Sequence, residues 1–302
     1  MSTAITFSEY GAPEVLRPTE VDPPEPGPGQ VRIRVRAASV NPFDMKVRSG
    51  LMAKAVPAHF PVTLGLDAAG VVDAVGEGAG AAVGDEVLGS TAGGGGYAEY
   101  ALLDRPVAKP EGVSWEVAAS LVTVGRTAFR VLRLLDVQPG QTLLVHGAAG
   151  SVGVIAVQLA VARGASVVGT VGEQDIELVS SLGATAVRYG DGWAERVRAA
   201  APQGVDLVFD TSGAGVLADS VALTGDPARV VTIADMAAAQ HGVRFSGAAD
   251  DIPGEALPEL AELAGAGKLT VPVWRTYPLA EAARAHADLE ARRNRGKAVL
   301  MP

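Results

Sequence analysis

Hydrophobic and polar residues alternate in the first third of the chain, and then the alternation stops. In QVRIRVRAASV (30–40), Val31, Ile33 and Val35 fall on one side and Arg32, Arg34 and Arg36 on the other. That period of two predicts a half-exposed antiparallel strand. GLDAAGVVDAVG (65–76), GDEVLGS (84–90) and GYAEYALL (96–103) are short strands of the same kind, and PPEPGPG (23–29) is a turn before them. Short strands set among glycines and prolines predict a partly open β-barrel.

Near residue 115 the texture changes. WEVAASLVTVGRTAFRVLRLL (115–135) has helical periodicity. QTLLVHG (141–147) is a continuous apolar strand, SVGVIAVQLAVARG (151–164) a helix, ASVVGTV (165–171) a strand, and IELVSSLG (176–183) a helix stopped by Gly183. Strands continue at VDLVFDTSG (205–213), ARVVTIAD (228–235) and GVRFSG (242–247), and the helical EALPELAELAGAG (255–267) closes the set. Continuous apolar strands alternating with helices predict a parallel sheet covered on both faces, an α/β fold. The tail from Lys268 has strand, helix and strand character and is expected to rejoin the first domain. The predicted division is 1–118 with 268–302 in one domain and 119–267 in the other.

At 302 residues the chain exceeds one comfortable core, in keeping with two domains. A net charge of -9 argues against nucleic acid as a partner, because phosphate binding wants a basic face. The absence of cysteine removes disulfides, thiolate catalysis and Cys-based zinc sites. MSTAITFSEY lacks a basic region followed by an apolar run, and no segment is apolar for long enough to cross a bilayer. A cytoplasmic protein without membrane contact is the expectation.

The candidate chemistry begins at HGAAGSVG (146–153), where Gly147, Gly150 and Gly153 stand between strand and helix. One glycine turns the chain out of the strand, one lets a diphosphate approach the backbone, and one lets helix and strand pack closely. The helix N-terminus then offers free N–H groups to phosphate. Ser151 adds a hydroxyl contact or caps the helix. The other reading of the same residues is a tight turn without a ligand.

The motifs GAAGSVGVIAVQLA (147–160), AASVNPFDMKVRSG (37–50), GLDAAGVVDAVGEG (65–78), VGDEVLG (83–89), GGYAEYAL (95–102), GRTAFRVL (125–132) and RGKAVL (295–300) run in order along nearly the whole chain. Together they resemble the medium-chain dehydrogenase/reductase superfamily, in its zinc-independent quinone oxidoreductase branch. The resemblance implies a GroES-like barrel domain, a Rossmann domain and a nicotinamide cofactor between them. It places Gly147, Ala148, Ala149, Gly150, Ser151, Val152, Gly153, Thr170, Gly172, Arg188, Tyr189, Ile233 and Lys297 at the cofactor, with Thr127, in a GRTA turn, on its nicotinamide side. It also implies a homodimer through the edge strand of the Rossmann sheet.

The positions that hold zinc in the alcohol dehydrogenases of this superfamily correspond here to Asn41, Leu66 with Asp67, and Thr123, so no metal is expected. His59, His146, His241 and His286 show no ligand spacing and are read as surface, turn or loop residues. The favoured cofactor is NADPH, with NADH kept open because Glu173 and Gln174 depart from a basic pattern. Without a Lewis acid the implied substrate is already electrophilic: a quinone or an α,β-unsaturated carbonyl, reduced by hydride. Asn41 is read as an amide donor near the substrate carbonyl or as an Asn-Pro turn. Asp44 is read as orienting the nicotinamide-side network or as a helix cap. Arg126 is expected to pair with an acidic residue, Tyr97 to be a barrel aromatic, and solvent to supply the proton. Two other functions stay open: an enoyl-thioester reductase of a polyketide or fatty-acid pathway, and a cofactor-binding sensor or scaffold without catalysis.

Overall fold

The structure is a computed structural model of the 302-residue chain and describes every residue except Ile252, Pro253 and Glu255. Two compact units are present, one of Met1–Thr123 with Leu257–Pro302 and the other of Val124–Ala256.

In chain order the first stretch contains β1 (Ser2–Phe7), β2 (Arg17–Val21), β3 (Gln30–Ser39), α1 (Pro42–Arg48), β4 (Val62–Thr63), β5 (Asp67–Val75), β6 (Glu86–Thr91) and β7 (Tyr100–Ala108). Helix α2 (Trp115–Leu134) runs across the boundary of the two units. The second unit contains β8 (Thr142–His146), α3 (Ser151–Ala162), β9 (Ser166–Val171), α4 (Ile176–Ser181) and β10 (Thr185–Arg188). It continues with α5 (Trp193–Ala200), β11 (Leu207–Asp210), α6 (Leu217–Thr224), β12 (Val230–Thr232) and β13 (Arg244–Phe245). The chain ends with α7 (Ala256–Gly265), β14 (Val273–Pro278), α8 (Ala282–Glu290) and β15 (Lys297–Met301).

The first unit is built on β3. One edge pairs along its length with β5, and β5 pairs with β6 and β6 with β7. The other edge is split: Gln30–Arg34 pairs with β7, and Ala38 and Ser39 pair with β15. The register shifts at Arg32/Ile33 and Val35/Ala37 bend the strand between its two partners. The ring therefore closes at one end of β3 and opens at the other to admit the C-terminal strands, which is how a partly open GroES-like barrel arises. Val31, Ile33 and Val35 are buried inside, while Arg34 and Arg36 are exposed, as the alternation predicts.

The second unit is a six-stranded sheet in the order β10-β9-β8-β11-β12-β13. All its pairings are parallel. This is the Rossmann strand order, which reverses direction between β8 and β11. Every residue of β8 is buried, so its apolar run reflects cover on both faces.

Three local expectations change. The stretch 115–135 is one helix rather than several, so Thr127 lies in mid-helix and not in a turn. The segment 242–247 forms only a two-residue edge strand. The helix expected over 255–267 starts at Ala256 among the described residues, Glu255 lying outside them. From Leu257 onward it belongs with the first unit. Its last residue lies close to the loop after β7, where a Cβ on Gly265 would stand 2.7 Å from the Pro110 ring.

Candidate functional site

The glycine turn sits where β8 and β11 diverge, the point at which ligands bind in open α/β sheets. Gly147 leaves β8 with φ +71°, a left-handed value that glycine adopts freely. A Cβ there would stand 2.7 Å from Thr211 Oγ1, and that hydroxyl donates to His146 O at 2.7 Å. Thr211, just after β11, thus ties the two strand ends together. A Cβ on Gly153 would lie 2.3 Å from Gly147 O and 2.7 Å from Ala148 Cα, so no side chain fits.

Gly150 differs. It is exposed, and a Cβ there would meet only Gly147 O at 3.2 Å. It is the N-cap of α3, in extended conformation, and Ser151 is the first helical residue rather than the cap. The first bond of the helix runs from Val154 N to Gly150 O at 2.9 Å, which leaves the amides of Ser151, Val152 and Gly153 without a helical carbonyl. Ala148 is fully buried against β9, where a Cβ on Gly169 would come within 2.6 Å of its methyl, and Ala149 is half-buried. The surface past Gly150 is therefore bare backbone with donors, which suits a diphosphate.

Around the turn, the expectation for Thr170 needs correction. Its side chain is buried, with Oγ1 3.1 Å from His146 Nδ1 and 3.4 Å from Gly147 N. It braces the turn from inside and offers no hydroxyl to a ribose. His146 is likewise no surface residue: its Nε2 lies 3.1 Å from Ser220 Oγ, and burial pushes its pKa down to about 4. Gly172 is buried and begins the turn after β9, and Ile233 is half-buried just after β12. Glu173 and Arg188 are both exposed and form an ion pair at 2.9 Å, with exposed Tyr189 next in the chain. Arg126 pairs with Asp251 at 2.8 Å, as expected of it, and Arg130 takes the other oxygen at 2.7 Å.

The first unit holds a separate cluster of buried polar groups. Asn41 and Asp44 begin α1 as a capping box, the Asn41 amide donating to Asp44 Oδ2 at 2.8 Å. The Asn41 side chain is only 2% exposed: its Nδ2 donates to Asp67 Oδ2 at 2.9 Å and its Oδ1 accepts from Lys297 at 2.7 Å. Asp67 also accepts from Ser39 at 2.8 Å and from Thr123 at 2.5 Å. Lys297 belongs to this cluster in the first unit. It is buried, its second bond goes to Val40 O at 2.9 Å, and burial lowers its pKa. Asn41, Asp67 and Thr123 are thus tied to one another and to an ammonium group.

The sequence reading missed two members. Tyr97 is a buried residue just before β7 whose hydroxyl lies 3.1 Å from Asp44 Oδ2 and 3.1 Å from His286 Nε2. His286, expected on a surface or loop, is fully buried on α8. A signal for it was present: Ala282, Ala285, His286 and Leu289 recur at the spacing of one helical face. Burial raises Asp44 to about 7 and lowers His286 to about 3.

Among the described residues, no helix is long and apolar enough to cross a membrane, and no three His, Asp or Glu residues are grouped to hold a metal ion.

Comparisons with known proteins agree with this architecture. Residues 27–110 match the family model described as the alcohol dehydrogenase GroES-like domain, and residues 182–300 match that described as zinc-binding dehydrogenase. A quinone oxidoreductase of Pseudomonas aeruginosa is 33% identical over the full length of both chains. The solved quinone oxidoreductase of Coxiella burnetii superposes with a TM-score of 0.88 at 32% identity, covering 100% of this chain and 99% of that one. The Escherichia coli quinone oxidoreductase complexed with NADPH superposes with a TM-score of 0.83 at 27% identity, covering 99% of this chain and 100% of that one. With the split-edged barrel, the Rossmann strand order and the glycine turn, these matches establish that the chain belongs to the quinone oxidoreductase branch of the medium-chain dehydrogenase/reductase superfamily.

Proposed function

We propose that this protein is an NADPH-dependent reductase that transfers hydride to a quinone or to the β-carbon of an α,β-unsaturated carbonyl without using zinc. The observation that carries the reading is the bare backbone at Gly150, with three amides at the head of α3 that no helical carbonyl takes. Gly147, Ala148, Ala149, Gly150, Ser151, Val152 and Gly153 would hold the diphosphate, and Gly172 and Ile233 line the same strand ends. Arg188 and Tyr189 would take the 2′-phosphate, and Thr127 the nicotinamide side. When bound, the dinucleotide supplies the hydride; the protein binds it, orients it and excludes water.

On the substrate side we assign Asn41 and Asp44. Asn41 Nδ2 carries two hydrogens and spends one on Asp67, so one N–H is left for a carbonyl oxygen. The Lys297 ammonium supports the zinc-free part of the reading: it already supplies a cation to Asn41 Oδ1. Asn41 and Thr123, unlike thiolates and imidazoles, are poor zinc ligands.

The test is direct. Adding NADPH should give saturable binding, and adding an ortho- or para-quinone should then consume the cofactor's absorbance. Absence of binding, or of turnover with every quinone and electron-poor alkene tried, overturns the reading. An enone that turns over faster than any quinone assigns the second substrate class.

A further inference from the structure

A run of hydrogen bonds crosses the interior of the first unit from α1 to α8 and back. Arg48 Nη1 lies 3.2 Å from His286 Nδ1, His286 Nε2 lies 3.1 Å from the Tyr97 hydroxyl, and that hydroxyl lies 3.1 Å from Asp44 Oδ2. All four side chains are at most 2% exposed. At its outer end Arg48 pairs with Glu290 and donates to Gly11 O at 3.1 Å.

The direction of proton sharing follows from the two ends. A guanidinium has donors only and keeps its charge, so His286 Nδ1 must accept. Burial keeps the imidazole neutral, its pKa pushed down to about 3. Its single proton is therefore on Nε2, and that N–H donates to the tyrosine oxygen. The tyrosine proton is left for Asp44, which accepts. The cation at one end and the carboxylate at the other polarise every link in the same sense, and links in series strengthen one another. Arg48 cannot release a proton, so the run is no conduit from Glu290. It is a fixed chain of donors aimed at one carboxylate.

We propose that Tyr97 and His286 are positioning residues of the reductase, holding Asp44 as a carboxylate and, through it, Asn41 in place. The proposal rests on the reading above for the roles of Asn41 and Asp44; the chain itself does not. Every bonded partner of the Asp44 oxygens is a donor: Asn41 N at 2.8 Å, the Tyr97 hydroxyl at 3.1 Å and Gly65 N at 3.3 Å. A protonated Asp44 would add an O–H for which none of these three partners, as bonded here, is an acceptor. The other charged groups facing it are Asp67, which favours its protonation, and Lys297, which opposes it. Arg48 and His286 stand behind Tyr97.

Two measurements test this. The first is the nitrogen NMR spectrum of the full-length protein with labelled histidine, without cofactor, from about pH 5 to 9. His286 should show a protonated Nε2 and a bare Nδ1 throughout. An Nδ1–H tautomer, or titration of the ring in that range, overturns the chain whether or not the protein reduces quinones. The second is the pH profile of kcat/KM. Losing a hydrogen bond to a charged group should move the acid limb of Tyr97→Phe upward by roughly one to two pH units. His286→Leu should shift it likewise. His286→Gln, whose amide offers one acceptor and one donor, should restore the original limb. An unmoved limb in Tyr97→Phe and His286→Leu overturns the positioning role. Should either variant fail to fold, the NMR spectrum of the unaltered protein decides. Absence of any turnover sinks the reductase reading and leaves the tautomer result standing.

Discussion

Lys297 Nζ stands 2.7 Å from Asn41 Oδ1, joining the first residue of the last strand to the residue that caps α1. The ammonium faces the charges of both Asp44 and Asp67. Lys297→Met should therefore leave buried negative charge uncompensated, at a cost of about 3–5 kcal/mol. Urea unfolding at neutral pH checks the magnitude. An NADPH titration of the protein that remains folded then checks the cofactor role that the resemblance gives Lys297; unchanged affinity confines its role to the buried cluster. A large loss of affinity without loss of stability would return Lys297 to the cofactor.

The glycines of the turn should separate binding from stability. Gly153→Ala places a methyl against backbone at 2.3 Å and should lower both the melting temperature and NADPH binding. Gly150→Ala meets one oxygen at 3.2 Å, in an ordinary backbone conformation. It should keep the melting temperature within a few degrees and still weaken NADPH at least about tenfold, since the methyl occupies the approach of the diphosphate. Calorimetry and fluorescence titration on both variants read the difference.

Arg188 and Glu173 should set which dinucleotide is preferred. The pair is exposed and contributes roughly 0–1 kcal/mol to stability, so either residue is replaceable without unfolding. Arg188→Ala should weaken NADPH by about 10- to 100-fold, the worth of a hydrogen bond to a charged group, and leave NADH nearly unchanged. Glu173→Ala should tighten NADPH by removing a competing carboxylate. Equal effects on both cofactors in a binding titration would place the 2′-phosphate elsewhere.

Stability should fall as the solution is acidified below neutrality. Burial depresses His146 to about 4 and His286 to about 3 from the ordinary 6.5, so the unfolded chain binds two protons that the folded chain refuses. Asp44 acts oppositely: raised from 3.8 to about 7, it keeps one proton when folded that the unfolded chain releases. Between pH 6.5 and 4 the unfolded state thus leads by one proton, two minus one. The unfolding free energy should drop by about 1.4 kcal/mol per pH unit across that window. In His286→Gln the slope should nearly vanish. Urea midpoints at three pH values give the slope; an unchanged slope in the variant would contradict a neutral, buried His286.

The glycine turn, the alternating β3 and the return of the tail to the barrel were legible in the sequence because each is local or periodic. Gly147 and Gly153 admit no side chain, and that constraint is written as two glycines six residues apart. The polar interior was harder to read. Tyr97 and His286 are 189 positions apart and Arg48 and His286 238 apart, so nothing local links them. His146 was hidden for another reason: a histidine ending the run TLLV looks like the start of a loop, whereas Thr170 on β9 and Ser220 on α6 take both its nitrogens. Thr170 was misjudged because a strand-end hydroxyl reads the same whether it faces a ribose or a neighbouring side chain.

Strand β15 lies between β14 and β3, and it carries Lys297 to the heart of the barrel. On the ribosome this imposes a schedule. Residues 1–123 are made first but wait for the final stretch, whereas residues 124–256 are contiguous and free to fold in the interval. The barrel is thus begun before the Rossmann sheet and completed after it, so a chain that stops short of Lys297 has every strand of that sheet and lacks the strand that pairs with β14 and β3.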